Sequence, residues 1–199
     1  MSIDRERAIA IVLGSTSRYR AELLRRLIPD FEQRAPDTDE AARPGEAASA
    51  RALRLAMAKA QAAAAGVQNA LVIGSDQVAE LDGLALDKPG SVENARRQLT
   101  LSSGRTVQFH TALCVIDTRD SRRHTHVDLT CVHFRQLSQA EIERYLERER
   151  PLDCAGSFKC EGLGISLFER IDNHDPSALI GLPLIALARL LRECAVALP

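Results

Sequence analysis

The chain has 199 residues, 45% of them hydrophobic, which suits one domain over residues 1–199 with ample material for a core. Its net charge of −1 leaves no basic excess to displace counterions, so no stable nucleic-acid partner held by bulk electrostatics is expected. No apolar run approaches a membrane span, and five cysteines without a CxxC point to reduced thiols in a cytoplasmic protein.

The charged start MSIDRER is not followed by a signal-peptide hydrophobic region. Residues 9–13 then read as a first strand, and residues 18–27 as a helix with Leu23, Leu24 and Leu27 on one face and Ser17 as its cap. A weak strand at 31–35 precedes an acidic, Pro/Gly-punctuated loop at 36–45. Residues 46–65 form a strong Ala-rich helix that Gly66 ends.

The run Leu71-Val72-Ile73 reads as a buried strand ending at Gly74-Ser75-Asp76, and Leu81-Asp82-Gly83 as a hairpin turn before Lys88-Pro89. Ser91 caps a helix over 91–101. Two longer strands, 105–117 and 126–135, are expected to pair antiparallel across a charged loop. Ser138 and Glu141 form a capping box for a helix over 138–147. A Gly-rich segment at 155–164 leads into a strand at 165–171, and Pro183 opens a last helix to about residue 195. The order of elements predicts a mixed α/β sheet.

Several groups of residues could carry chemistry. Ser15-Thr16-Ser17-x-x-Arg20 puts hydroxyls and backbone N–H groups where a helix start receives an anion. By itself it reads more simply as capping plus a surface arginine, since it matches no established phosphate loop. Asp76 with Lys88 suits metal-assisted hydrolysis of a phosphoanhydride, and equally a turn with a surface lysine. Arg54 and Lys59 are offset around their helix, which reads as a solvated face. In the run 154–162, small residues let backbone approach a ligand, and Glu161 can accept hydrogen bonds from a base edge or face a cationic ring. Asp175-Pro176 and Gly181-Leu182-Pro183 read as structural. The histidines lack partners at zinc-ligand spacing.

Together these segments resemble the Maf family of nucleotide pyrophosphatases. The anchors are Ser15-Thr16-Ser17-x-x-Arg20-x-x-Leu23-Leu24, Asp39-Glu40, Arg54-Leu55-Ala56-x-x-Lys59-Ala60, Gly74-Ser75-Asp76-Gln77, Lys88-Pro89, Ser103-Gly104, Glu161-Gly162 and Gly181-Leu182-Pro183-Leu184. They run from about Ile11 to Leu191. Tyr19, Gln77 and Glu161 are similar to the branch that acts on 7-methyl-GTP (the YceF branch), where the branch acting on dTTP and UTP carries Arg, Thr and Gln. Arg18 stands where the family commonly has Pro, a change expected to affect only the first helical position.

The resemblance implies an elongated, inosine triphosphatase-like α/β fold, with a mixed sheet and two lobes flanking a substrate cleft. It implies cleavage between the α and β phosphates, with Asp76 as proton acceptor. Ser15, Arg20, Lys59 and Lys88 would hold phosphate, and Tyr19, Gln77 and Glu161 would set specificity. Glu40 and Asp76 would hold a divalent metal cation, Mg²⁺ or Mn²⁺. The partner would be a small-molecule nucleotide, and homodimers are common in the family. Tyr19 suits a cation–π contact with the cationic 7-methylguanine ring, and the Glu161 carboxylate suits its N1–H and amine. A dTTP/UTP or broad-specificity pyrophosphatase is the near alternative; a nucleotide-responsive regulator of division or septum formation is the distant one.

Overall fold

The computed structural model describes residues 9–199; the charged start, on which the signal-peptide reading rests, lies outside them. Strand β1 (Ala10–Gly14) leads through a polar turn into helix α1 (Arg18–Arg25), whose cap is Ser17, accepting from the Arg20 N–H. β2 (Glu32–Arg34) and helix α2 (Ala48–Ala64) follow. β3 (Ala70–Leu81) turns tightly into β4 (Leu84–Ala85), with Asp82 and Gly83 both left-handed as a two-residue hairpin requires. Helix α3 (Val92–Ser102) and the long strands β5 (Thr106–Asp117) and β6 (Arg122–Phe134) come next. Helix α4 (Gln139–Glu149) carries the expected capping box; β7 (Phe168–Asp172) and helix α5 (Leu184–Glu193) complete the order.

The strands form one mixed sheet in the order β2-β1-β3-β5-β6-β7, with β4 beside β3. β1 runs parallel to β2 and β3; the other pairings are antiparallel. This is the expected α/β class.

Three boundaries differ from the sequence reading in ways that matter. Asp76 is not at a strand end. β3 loses its parallel partner after Leu13↔Ile73, but β5 goes on pairing with it to Glu80↔Gln108, so the strand continues past the carboxylate. β6 begins at Arg122 because Asp117↔Arg122 already pair across a tight turn. The strand expected at 165–171 starts only at Phe168; residues 163–167 form a 3₁₀ turn, with the Ile165 N–H bonded back to the Gly162 carbonyl.

The long strands pass through two lobes. In the first, one face of the sheet packs Leu13, Leu71, Ile73 and Leu113 against α1 and α5, and the other packs Val72 and Cys114 against the alanines of α2. The second lobe packs Ala79, Leu81, Phe109 and Phe134 against α3, α4 and Phe158. Helix α2 lies close to the sheet because Gly74 has no side chain: a Cβ there would stand 2.5 Å from the Ala60 nitrogen. That approach brings Asp76, two residues on in β3, to Lys59 of α2.

Candidate active site

Alternation along β3 sends Asp76 to the α2 side of the sheet and Ser75 and Gln77 to the other. On the α2 side, Lys59 Nζ lies 2.6 Å from Asp76 Oδ1 and 2.8 Å from Glu40 Oε1. Lys59 and Asp76 are buried; Glu40 reaches in from an exposed loop. Burial pushes the Glu40 carboxyl up, but the hydrogen bond and charge of Lys59, with Lys88 and Arg20 beyond it, outweigh this and hold it below its ordinary value. The expectation of a solvated face for Lys59 is therefore corrected. Arg54 is turned away into a bidentate pair with Glu46 (2.6 and 2.7 Å).

Next to this cluster is the turn after β1. Ser15 Oγ accepts from the Ser17 N–H (3.1 Å) and from Arg20 Nη1 (3.4 Å), while Arg20 Nε donates to the Gly181 carbonyl (2.9 Å). Burial lowers the Arg20 pKa, and Asp76 and Glu40 act in the opposite sense. Arg20 is thus a fixed cation in the cleft wall, where the motif alone suggested a surface arginine. The Gly181 segment is structural, as expected, and also positional: its carbonyl receives both Arg20 and the Ser75 hydroxyl (3.0 Å). Asp175 anchors the segment by accepting from the N–H groups of Ser177 and Ile185 (3.0 and 2.7 Å).

One cleft of about 670 Å³ is lined by Ser15, Tyr19, Arg20, Glu40, Lys59, Asp76, Gln77, Lys88 and Glu161. Every site residue expected from the sequence stands on this one wall system, although the nine come from six separate stretches of chain. Ser15, Arg20, Lys59 and Asp76 adjoin the first lobe, and Lys88 reaches the cleft from the loop between β4 and α3. The Tyr19 hydroxyl donates to Asp153 (3.5 Å), just before the Gly-rich run 154–162 that carries Glu161. Gln77 Nε2 donates to Thr111 Oγ1 and to the Ala178 and Leu179 carbonyls (2.9, 3.0 and 3.1 Å), so its amide nitrogen braces the wall.

Two features were missed. Arg51 lines the cleft and pairs with Asp87 (3.1 Å). The signal was its spacing: Arg51, Leu55 and Lys59 recur every four residues and share one helix face. Arg18 does more than fill a helical position. Its guanidinium lies 4.8 Å from the centroid of the Tyr19 ring and donates to the Tyr19 hydroxyl (2.8 Å).

Residues 10–194 match the family described as Maf-like protein. The chain belongs to the Maf family. Similar curated relatives of this Maf chain each carry the name 7-methyl-GTP pyrophosphatase. One from Xanthomonas axonopodis pv. citri is 58% identical over 190 residues, covering 95% of this chain and 98% of the relative. One from Burkholderia thailandensis is 54% identical over 185 residues (92% and 86%). One from Albidiferax ferrireducens is 52% identical over 186 residues (94% and 94%).

Maf membership implies a divalent metal, and the donors for one are few. Among the described residues, no group of three or more His, Cys, Asp or Glu side chains stands together as a metal cage. What converges is the carboxylate pair Glu40 and Asp76, both on Lys59. Two hard oxygen donors fit Mg²⁺ or Mn²⁺ of the kind that takes its other ligands from water and substrate phosphates.

Proposed function

We propose that this Maf-family chain hydrolyses 7-methyl-GTP to 7-methyl-GMP and diphosphate, removing a modified nucleotide from the pool. The observation that carries this reading is the single cleft that holds a cationic, carboxylate-bearing end beside Ser15 and a second end with Tyr19 and Glu161. The relatives' shared name supports it. The setting is the cytoplasm: the five cysteines are free thiols, and among the described residues no helix is long and apolar enough to cross a membrane.

Arg20, Lys59 and Lys88 hold the triphosphate and offset the charge that builds on it during cleavage. Lys59 donates two of its three N–H bonds to Asp76 and Glu40, which leaves the third for phosphate. Ser15 and the backbone N–H groups at the α1 start receive a phosphate oxygen. Asp76 Oδ1 is held by Lys59, so Oδ2 takes the proton of the attacking water. Glu40 and Asp76 would hold a divalent cation, which would supply neutralisation of phosphate charge. At the other end, the Tyr19 ring stacks on the cationic base and Glu161 accepts from its N1–H and amine.

The test is diphosphate release, with Mg²⁺ or Mn²⁺, from 7-methyl-GTP, GTP, dTTP, UTP and CTP side by side. The expected result is a clear preference for 7-methyl-GTP. Preference for dTTP and UTP would overturn the substrate while keeping Asp76 as base.

A further inference from the structure

Two loops of the second lobe border the cleft. One, between β4 and α3, carries Lys88; the other, after α4, carries the run 154–162 with Glu161. They touch through the backbone at two points: the Gly156 N–H donates to the Leu86 carbonyl and the Gly90 N–H to the Leu152 carbonyl, both at 3.1 Å. Between them stands one side chain from neither loop. Gln98, on the inner face of α3, is buried; its Nε2 donates to the Asp87 carbonyl (2.8 Å) and its Oε1 accepts from the Ser157 hydroxyl (2.6 Å). Ser157 is fully buried.

We infer that Gln98 is a positioning residue: its one amide clamps the loop of Lys88 to the loop of Glu161, fixing one phosphate-holding side chain relative to the carboxylate that reads the base. An amide is the group the site requires, because one loop presents an acceptor and the other a donor, and a single planar group supplies the complement of each. Asp87 is bound next to Lys88, and its carboxylate also pairs with Arg51 of α2, the helix of Lys59. Ser157 precedes Phe158, whose ring packs against Phe109 of β5 at 5.2 Å. The clamp thus joins one loop tied to α2 and another tied to the second-lobe core. A ligand whose triphosphate and base are both held at once is sensitive to that spacing.

The inference rests on the 7-methyl-GTP reading for its choice of substrate, and its test separates the two. KM and kcat are measured for Ser157→Ala, Gln98→Leu, the double variant and Ser102→Ala. Ser102 is the matched control: it loses a buried hydroxyl bond in the same helix, to the Gln98 carbonyl, without facing either loop. Each clamp variant is expected to raise KM by roughly fivefold or more, and by at most about 150-fold, the span set by leaving a buried polar partner unsatisfied. The change in kcat is smaller, the preference for 7-methyl-GTP over GTP falls, and Ser102→Ala keeps the wild-type KM. The double variant is no worse than Gln98→Leu, since both remove one shared bond. An unchanged KM with lowered thermal stability would make Gln98 a core residue only and overturn the inference, as would additive effects. If Gln98→Leu does not fold, Ser157→Ala carries the same comparison at the cost of a single oxygen. If the wild type prefers another triphosphate, the substrate reading fails, and the clamp is judged by KM on that nucleotide.

Discussion

Lys59 and Asp76 meet 2.6 Å apart, each 7% exposed, one on a helix and the other in the middle of a strand. A buried ion pair is a poor stabiliser, because desolvation of the two charges offsets their attraction. Its value here is geometric. It fixes the carboxylate beside the cationic wall formed by Arg20 and holds Glu40 in the same cluster.

Asp76→Asn keeps the shape of this site and removes the proton acceptor. Its kcat should fall roughly a hundred- to ten-thousandfold, the span of general-base contributions. Nucleotide binding should be kept or tightened, since a negative charge has been taken from beside a polyanion. Single-turnover assays and calorimetric titration with 7-methyl-GTP read the two separately. An Asp76→Asn enzyme with near wild-type kcat would remove Asp76 from the role of base.

Glu161 is exposed at the cleft rim, so its charge is partly screened. Glu161→Gln should lower the ratio of kcat/KM for 7-methyl-GTP over GTP about two- to fivefold, in keeping with up to ~1 kcal/mol for an exposed charge contact. The kcat on GTP should barely move. An unaltered ratio would show that Glu161 does not read the methylated base.

Arg18 holds its guanidinium over one face of Tyr19. A cationic base brought to that ring meets a cation already there. Arg18→Ala should lower KM for 7-methyl-GTP about two- to fivefold, the worth of an exposed cation–π contact. A raised KM would instead make Arg18 part of the binding surface.

The local chemistry of this chain was legible from short patterns. Ser17, Ser91 and Ser138 accept the cap bonds expected of them, and Asp82-Gly83 makes its hairpin, because each depends on residues a few positions apart. Placement in the sheet was less legible. Asp76 looked terminal because the apolar run stops at Ile73, yet β5, more than thirty residues on, supplies the ladder that extends β3. Lys59 looked solvated because periodicity compares it only with its own helix, and its burial depends on Gly74 and on a loop carboxylate. The resemblance gathered the nine cleft residues. Gln98 carried no such signal, since its two partners lie in loops that only the folded chain brings together.

Glu46 gives a prediction for acid. The hydrogen bond from Arg54 holds its carboxyl far down, to about 2, against an ordinary 4.5. A depressed carboxylate contributes stability that is complete above the unfolded-state value and is lost as pH falls through the folded one. The difference in Tm between wild type and Glu46→Gln should therefore be largest near neutrality. It should shrink as pH falls below about 4.5 and vanish near 2, over the window that the shift defines. Melting curves across that range check it; a difference that does not vary with pH would assign the effect to packing.

Gly74 sets the distance between α2 and β3, and so the meeting of Lys59 with Asp76. A Cβ at 74 would stand 2.5 Å from the backbone nitrogen of Ala60 and also against the Ala56 carbonyl and the Ala60 methyl. Backbone cannot swing aside as a long side chain can, so the helix must lift. Overpacking of this kind costs about 1–3 kcal/mol and sometimes more. For a chain of this length that lowers Tm by roughly 2–4 °C per kcal/mol. Lifting α2 also draws Lys59 away from a carboxylate that stays with the sheet. Gly74→Ala should therefore lose kcat more steeply than the folded fraction alone explains. Activity per folded molecule, taken at a temperature where circular dichroism shows the variant native, decides this. A Gly74→Ala protein with wild-type Tm and kcat would mean that α2 takes up the extra methyl without moving Lys59.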